Sequence, residues 1–477
     1  MLVNYKPEDG WCGDFIPFYW QGEYHLFYLK DYRDLARHGE GYSWYHVVTK
    51  DFIHFTDYGE VLARGSIEEQ DFFASTGSVI YAEGKFHIFY HGQNHYWHKA
   101  GRPEQAIMHA VSDDLYTWTK IPEHNFGAPL DRFEPHDWRD PFVFWNEAAG
   151  QYWMVVAARL KDGPLPAQAP SRRRGCTGLC TSTDLVHWQV QEPLYAPDMY
   201  FTHECPDIFR MGDWWYLLFS EFTDACVTRY RMARSVSGPW ITPEVDTFDG
   251  RAFYAAKTAE GDGHRYLFGW NPSQTGSRDY ESWNWGSNLV VHELIQRADG
   301  TLAVRLPDMV RKYFAAPQPV RFEQGFKTAL PEGDVARLEG PGSFRCLSAG
   351  WLPQTAMIEA TAVFSTPTKG FGIMLRTSAD FEIGYYARVE PLRGRLVFDA
   401  WPRRGDLPFM VELERPVQVQ PGQPVQITIY VNGTICEVYL DGQVAMSARM
   451  YDHLAGNWGL FVSEGAATFT NVRLATP

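Results

Sequence analysis

Residues 84–92 read GKFHIFYHG, a turn glycine followed by an aromatic and apolar run. The same texture returns at GEYHLFYL (22–29), GQYWMVVAA (150–158), GDWWYLLFS (212–220) and GHRYLFGW (263–270). Their opening residues Gly22, Gly84, Gly150, Gly212 and Gly263 recur at intervals of roughly 60 residues, a spacing that belongs to repeat architectures. A second motif follows each of the first four runs: VTKDFIHF (48–55), VSDDLYTW (111–118), TSTDLVHW (181–188) and a looser RSVSGPW (234–240). Each reads as a strand, a Ser/Asp turn and a closing aromatic. Unrelated hairpins would not keep that order. Five multi-stranded units therefore describe an all-β chain that begins with a five-bladed β-propeller over residues 1–306.

Beyond Leu306 the repeat stops. LPDMVRKYFAAPQPV (306–320) carries Pro317 and Pro319 and reads as a linker over 307–320. From residue 321 to 477 apolar residues alternate along strands, as in VQITIYVNGTICEVYLDG (425–442), where Asn432 and Gly433 signal a hairpin. The second domain is expected to be a C-terminal β-sandwich of the jelly-roll, lectin-like kind, closing with NWGLFVSEGAATFTNVRL.

Composition supports this picture and narrows the partners. Aromatics make up 16% of the residues, which with 41 Gly and 30 Pro favours short strands and many turns over long helices. The formal charge is −15 and the sole basic tract is Arg172, Arg173 and Arg174, so nucleic acid is not an expected partner. No apolar run approaches the ~18 residues of a membrane span, and MLVNYKPEDGWCG lacks the pattern of a secretory leader. Seven scattered cysteines fit reduced thiols. The expectation is a soluble, cytoplasmic protein that does not engage membranes. The residues do not choose between a monomer and a homo-oligomer.

EPHDWRDPFVFW (134–145) packs Glu134, His136, Asp137, Arg139 and Asp140 against an apolar run, which a surface loop would not need. In each blade the strand before the aromatic run is expected to be innermost. Asp14 precedes such a strand in blade one, Asp140 in blade three and Glu204 in blade four. Radial blades would bring these three carboxylates to one funnel. Crowded like charges raise the pKa of one member, and two acids with split values flanking a sugar bond are the minimum for glycoside hydrolysis. Arg139 is expected to hold Asp140 ionised, leaving Glu204 to carry the proton. Taken singly, Asp14 also reads as a turn residue, Arg139 with Asp140 as a structural ion pair and Glu204 as a strand end.

At these residues the chain resembles glycoside hydrolase family 32, the invertase, inulinase and levanase family of propeller-plus-sandwich enzymes. WRDPFVFW resembles its Arg-Asp-Pro motif, HECPDIF its Glu-Cys-Pro motif and FDGRAFYAAKT (248–258) its Phe-Asp-x-Gly-x-x-Phe-Tyr-Ala segment. The resemblance implies a retaining, exo-acting β-fructofuranosidase with Asp14 as nucleophile, Glu204 as acid/base and Asp140 as transition-state stabiliser. Three places depart from the family: the Gln that usually follows its HLFY strand is here Leu29, and two motifs differ. Its Asn-Asp-Pro-Asn-Gly stands here as Gly13-Asp14-Phe15-Ile16-Pro17, and its Phe-Ser-Gly-Ser as Ser75-Thr76-Gly77-Ser78.

The expected substrate-binding set is Arg139, Trp44, Thr76, Ser78, His91, Asn94 and Trp283. Trp44 and Trp283 stand in it as either stacking platforms or blade packing, and His91 and Asn94 come from the loop YHGQNHYWHKAG (90–101). The substrate is expected to be a small oligosaccharide or fructan, with no cofactor and no metal ligand set. A fructosyl transferase using the same residues, an inverting family 43-like hydrolase and a non-catalytic carbohydrate-binding propeller remain alternatives.

Overall fold

A computed structural model describes residues 3–161, 170–314, 316–403, 411 and 413–477. Met1 and Leu2 of the N-terminal stretch, Ala315 of the linker segment and 404–410 and 412 of the sandwich lie outside them. The chain forms two compact units. One comprises Met1–Thr247, Phe253–Trp270 and Gly286–Leu302; the other comprises Phe248–Ala252, Asn271–Trp285 and Ala303–Pro477.

The first unit is the propeller. Blade one runs from Trp11–Trp20 outward through Glu23–Asp31, Trp44–Thr49 and Phe55–Leu62; blade two runs from Phe73–Ala82 through Lys85–Gln93 and Gln105–Ser112 to Thr119–Lys120. Blade three begins at Phe133–Asn146 and blade four at Glu204–Met211, and the fifth blade begins at Tyr254–Gly261. Cys12 pairs with Ser287, so the last blade joins the first in one sheet. The aromatic runs that define the repeat are the second strands. Leu26, Phe27, Tyr28, Ile88 and Tyr90 are fully buried there, which is why these runs are apolar on both faces.

The Ser/Asp motif has a local cause. Thr49 Oγ1 and Ser112 Oγ accept the backbone N–H of Phe52 and Leu115, while Asp51 and Asp114 accept N–H groups of the following turn. This wraps the chain tightly enough to hold Phe52, Leu115 and Leu185 at φ of 60°, 70° and 61°, an uncommon region for such residues.

The second unit is the sandwich. Its long closing strand, Asn457–Ala475, pairs with Ala336–Trp351, Thr355–Ser365 and Gly370–Thr377 in turn. Its core gathers Phe371, Ile429, Val438, Trp458 and Phe469. In the hairpin expected at Asn432-Gly433, Asn432 pairs with Ile435, so the turn residues are Gly433 and Thr434 and the left-handed one is Gly433, at φ 56°. No helix among the described residues is long and apolar enough to cross a membrane.

Candidate active site

All five inner strands carry an irregularity at the same level of their pairing with the second strand. The ladder slips by one residue between Gly13 and Ile16, Ala74 and Gly77, Arg139 and Phe142, Glu204 and Asp207, and Tyr254 and Lys257. Each slip is a β-bulge that places two inner residues against one of the partner strand and re-aims their side chains. In four blades the first bulged residue is left-handed although it is not glycine: Asp14 (φ 48°), Asp140 (54°), Cys205 (48°) and Ala255 (51°). In blade two the bulge is Ser75-Thr76, and Gly77 beside it has no room for a side chain, because a Cβ there would lie 2.1 Å from the Phe89 carbonyl oxygen.

This register corrects the expected equivalence of the three acids. Asp14 and Asp140 occupy the bulge, whereas Glu204 stands one position before it and is equivalent to Arg139 and Tyr254. The three residues in that preceding position bond to one another across blades three, four and five. Arg139 Nη2 donates to Glu204 Oε1 at 3.1 Å, and the Tyr254 hydroxyl donates to Glu204 Oε2 at 2.6 Å. Asp14 is held from two other blades: Thr76 Oγ1 donates to its Oδ2 at 2.6 Å and Trp270 Nε1 to its Oδ1 at 2.9 Å. Asp140 Oδ2 accepts the Cys205 N–H at 2.9 Å.

Electrostatics follow from this crowding. Burial raises the Asp140 pKa to about 6 against the pull of Arg139 and the Cys205 N–H, with Glu204 and Asp14 adding to the rise. Burial likewise raises Asp14, against its two hydrogen bonds, and Glu204 again adds to it. For Arg139 burial works the other way but is outweighed by Glu204, Asp137 and Asp140, so the guanidinium stays charged. The expectation that Arg139 serves Asp140 holds in part: its Nε lies 3.8 Å from Asp140 and pulls that pKa down, while its hydrogen bonds go to Glu204, Asp137 and Thr202. The crowded charges of EPHDWRDP are then accounted for. Arg174 and Arg159 bond Glu134, Arg159 also meets Asp137 at 3.3 Å, and Asp137 bonds Arg139, an alternating chain of ion pairs that ends at Glu204.

The expected binding residues divide. Thr76 and Arg139 touch the carboxylates. His91 lies opposite the blade-two bulge, almost fully buried, and its Nε2 has no partner; burial first and Arg139 second lower its pKa to about 3. Three others are committed elsewhere. Trp44 is fully buried and donates to the Ser75 carbonyl, so it is blade packing. Ser78 Oγ accepts the Val143 N–H and ties blade two to blade three. Asn94 gives its amide hydrogens to the Ile67 and Glu69 carbonyls at 2.7 Å. Trp283 belongs to the second unit and packs on the sandwich core. Tyr254 and Trp270 do not stand out in the sequence, although Tyr254 lies in the family-like segment 248–258 and Trp270 in the last aromatic run, 263–270; their position relative to the bulge was the missing signal.

The family model of the glycosyl hydrolases family 32 N-terminal domain matches residues 5–303. The chain belongs to glycosyl hydrolase family 32. Among relatives of this family member, a sucrose-6-phosphate hydrolase of Vibrio alginolyticus is 31% identical over 209 residues, 42% of this chain and 38% of that protein. A levanbiose-producing levanase of Bacillus subtilis (strain 168) is 22% identical over 505 residues, 98% of this chain and 89% of the levanase. The solved structure of sucrose-6-phosphate hydrolase from Lactobacillus gasseri has the same fold, with a TM-score of 0.72 at 18% identity over all of this chain and 92% of the other. This family 32 chain is thus a glycoside hydrolase whose propeller and sandwich are those of its structural relatives.

Proposed function

We propose that this protein is a retaining, exo-acting β-fructofuranosidase that removes a terminal fructosyl unit from sucrose-type or fructan substrates. The observation that carries the reading is the separate clamping of two carboxylates. Asp14 has each oxygen fixed by a donor from another blade, which aims it as a nucleophile. Glu204 is held between Arg139 and Tyr254, in position to give and take the proton of the glycosidic oxygen. Asp140, fixed by a backbone N–H and near enough to feel the charge of both, is suited to grip the sugar hydroxyls and favour the oxocarbenium-like transition state.

In the first step Asp14 attacks the anomeric carbon while Glu204 protonates the departing oxygen. In the second, Glu204 takes a proton from water, which displaces Asp14 and releases the sugar. The family membership and the names of the relatives, a levanase and sucrose-6-phosphate hydrolases, support fructosides as the substrate class. None of the seven cysteines is in a disulfide bond, which suits a reducing, cytoplasmic setting.

The test is product identification on sucrose, sucrose phosphate, inulin, levan and aryl arabinofuranosides, with the first-formed anomer followed by NMR. Fructose released with retained configuration is the expected result. Inverted product, or turnover of arabinofuranosides alone, would refute the proposal.

A further inference from the structure

Where blades two and three meet, the fold assembles a group that the chain scatters and that shares no residue with the carboxylate cluster. His98 lies in the 3-10 turn His95–Ala100, Glu104 just before the strand Gln105–Ser112, and His136 in the strand Phe133–Asn146. Their ligand atoms lie within 4.8 Å of one another, the one such trio of His, Cys, Asp or Glu side chains among the described residues. Glu104 Oε2 is the hub, 2.9 Å from His136 Nδ1 and 3.8 Å from His98 Nδ1. Zinc bonds of about 2.0–2.1 Å set neighbouring tetrahedral ligands about 3.4 Å apart, midway between those two spacings. Small side-chain movements would therefore close the trio on one ion.

The backbone beneath the trio is already tied. The Glu104 carbonyl accepts the Asn94 N–H and the Gln70 amide, and Gln105 Oε1 accepts the Trp138 N–H, fastening the start of one ligand strand to the other. Asn94 caps the turn that carries His98, and Gly101 closes it in the left-handed conformation. The competing cation Arg102 is engaged on the Trp97 ring, 3.2 Å from its centroid. A ligand set carried on a tied backbone loses little freedom on closing around an ion.

We infer that His98, Glu104 and His136 form a binding site for a divalent transition-metal ion of the zinc class. With His98 63% and His136 47% exposed, the remaining coordination positions face water. Two imidazoles with one carboxylate select zinc-class ions over magnesium or calcium, which prefer all-oxygen sets. The ion replaces the His136–Glu104 hydrogen bond and clips the blade-two loop to the entry of the blade-three strand.

The test uses the full chain, stripped with a chelator and titrated with zinc chloride at neutral pH against a chromophoric zinc indicator. Parent protein is expected to take up one equivalent and to melt higher with zinc than with EDTA. E104Q and H136A are each expected to weaken uptake by about tenfold or more, as loss of one ligand of three demands, and to lose the zinc-dependent rise in melting temperature. H98A, whose side chain is exposed, should do the same without disturbing any core contact. H187A removes a surface histidine paired with Asp184 and should leave uptake unchanged. Absence of stoichiometric uptake by the parent, or uptake by E104Q and H98A equal to the parent's, would overturn the inference.

Discussion

The propeller buries titratable side chains in two settings that differ in kind. On regular ladder positions of blades one and two, His25 bonds His46 at 3.0 Å, and His87 bonds His109 at 2.9 Å, with His124 a further 2.9 Å on. The rings of His46 and His109 stack on Phe27 and Phe89. Burial pushes His25 down to about 4 and His46 and His109 to about 3, so these groups are neutral and pack as polar aromatics. At the inner bulges, Asp140 is buried and Asp14 half-buried, and both are held by donors from neighbouring blades. The difference teaches where chemistry can sit in such a blade. A straight ladder spends its N–H and C=O groups on itself and suits side chains that can be neutral, whereas a bulge releases donors and turns them toward a carboxylate.

The largest effect that could break this comparison is on turnover. D14N and E204Q are each expected to lower kcat by about 10²–10⁴-fold or more while the fold is retained and unfolding stays cooperative, measured by steady-state kinetics and calorimetry. Near-parental kcat in either would place the chemistry elsewhere.

Next comes stability at the bulge. The raised Asp140 pKa, about 6 against an ordinary 3.8, means that the folded state holds this proton more tightly than the unfolded chain. Asp140 is therefore harmless below about pH 4 and increasingly unfavourable as pH rises to 6, where it costs about 2–3 kcal/mol. D140N should be inactive yet melt higher than the parent at neutral pH, by a margin that vanishes as pH falls from 7 to 4. A margin independent of pH would contradict this.

Smaller is the contribution of the Tyr254 hydroxyl. Its 2.6 Å bond orients Glu204, so Y254F should reduce kcat about tenfold, the equivalent of about 1.4 kcal/mol, while KM stays close to the parent value. A change in KM alone would make Tyr254 a binding group instead.

Smallest at neutral pH is the effect of the ladder histidines, whose sign is opposite to that of Asp140. Their depressed folded pKa values mean that the unfolded chain takes up protons below pH 6.5 that the folded chain refuses, so stability falls from there toward pH 3–4. Replacing His109 with Gln should flatten the fall by up to about 1.4 kcal/mol per pH unit, whatever its effect on the baseline. An unaltered slope would show that the ring is not the titrating group.

Much of this arrangement was legible in the residues. The runs GEYHLFYL and GKFHIFYHG announced buried second strands because both faces are apolar, and the turn acids of VTKDF and VSDDL announced the tight turns that close the third strands. The gathering of Asp14, Asp140 and Glu204 at the inner strands followed from the repeat. What could not be read was register. Alternation tells which face a residue takes only while the ladder is regular, and a bulge inserts one residue without any compositional mark. That single slip placed Glu204 beside Arg139 and Tyr254 instead of level with Asp14, aimed the hydrogen bonds of Arg139 at Glu204 rather than Asp140, and brought Trp270 onto Asp14. Trp44 was ambiguous for a different reason: an indole serves equally as a stacking platform or as packing, and only its complete burial decides. The trio of His98, Glu104 and His136 was hidden because its spacing is created by two blades meeting.

The central claim is that Asp14, held in a left-handed bulge by Thr76 and Trp270, is the atom donor to the anomeric carbon. Its most direct test is to incubate the E204A variant with an aryl β-fructofuranoside, quench, digest and map the peptides by mass spectrometry. The first step needs no acid for such a leaving group, while the second needs the missing base, so the covalent intermediate should accumulate. One hexosyl unit on the peptide bearing Asp14 is the expected result. An adduct on another residue, or turnover with no adduct and inverted product, would contradict it.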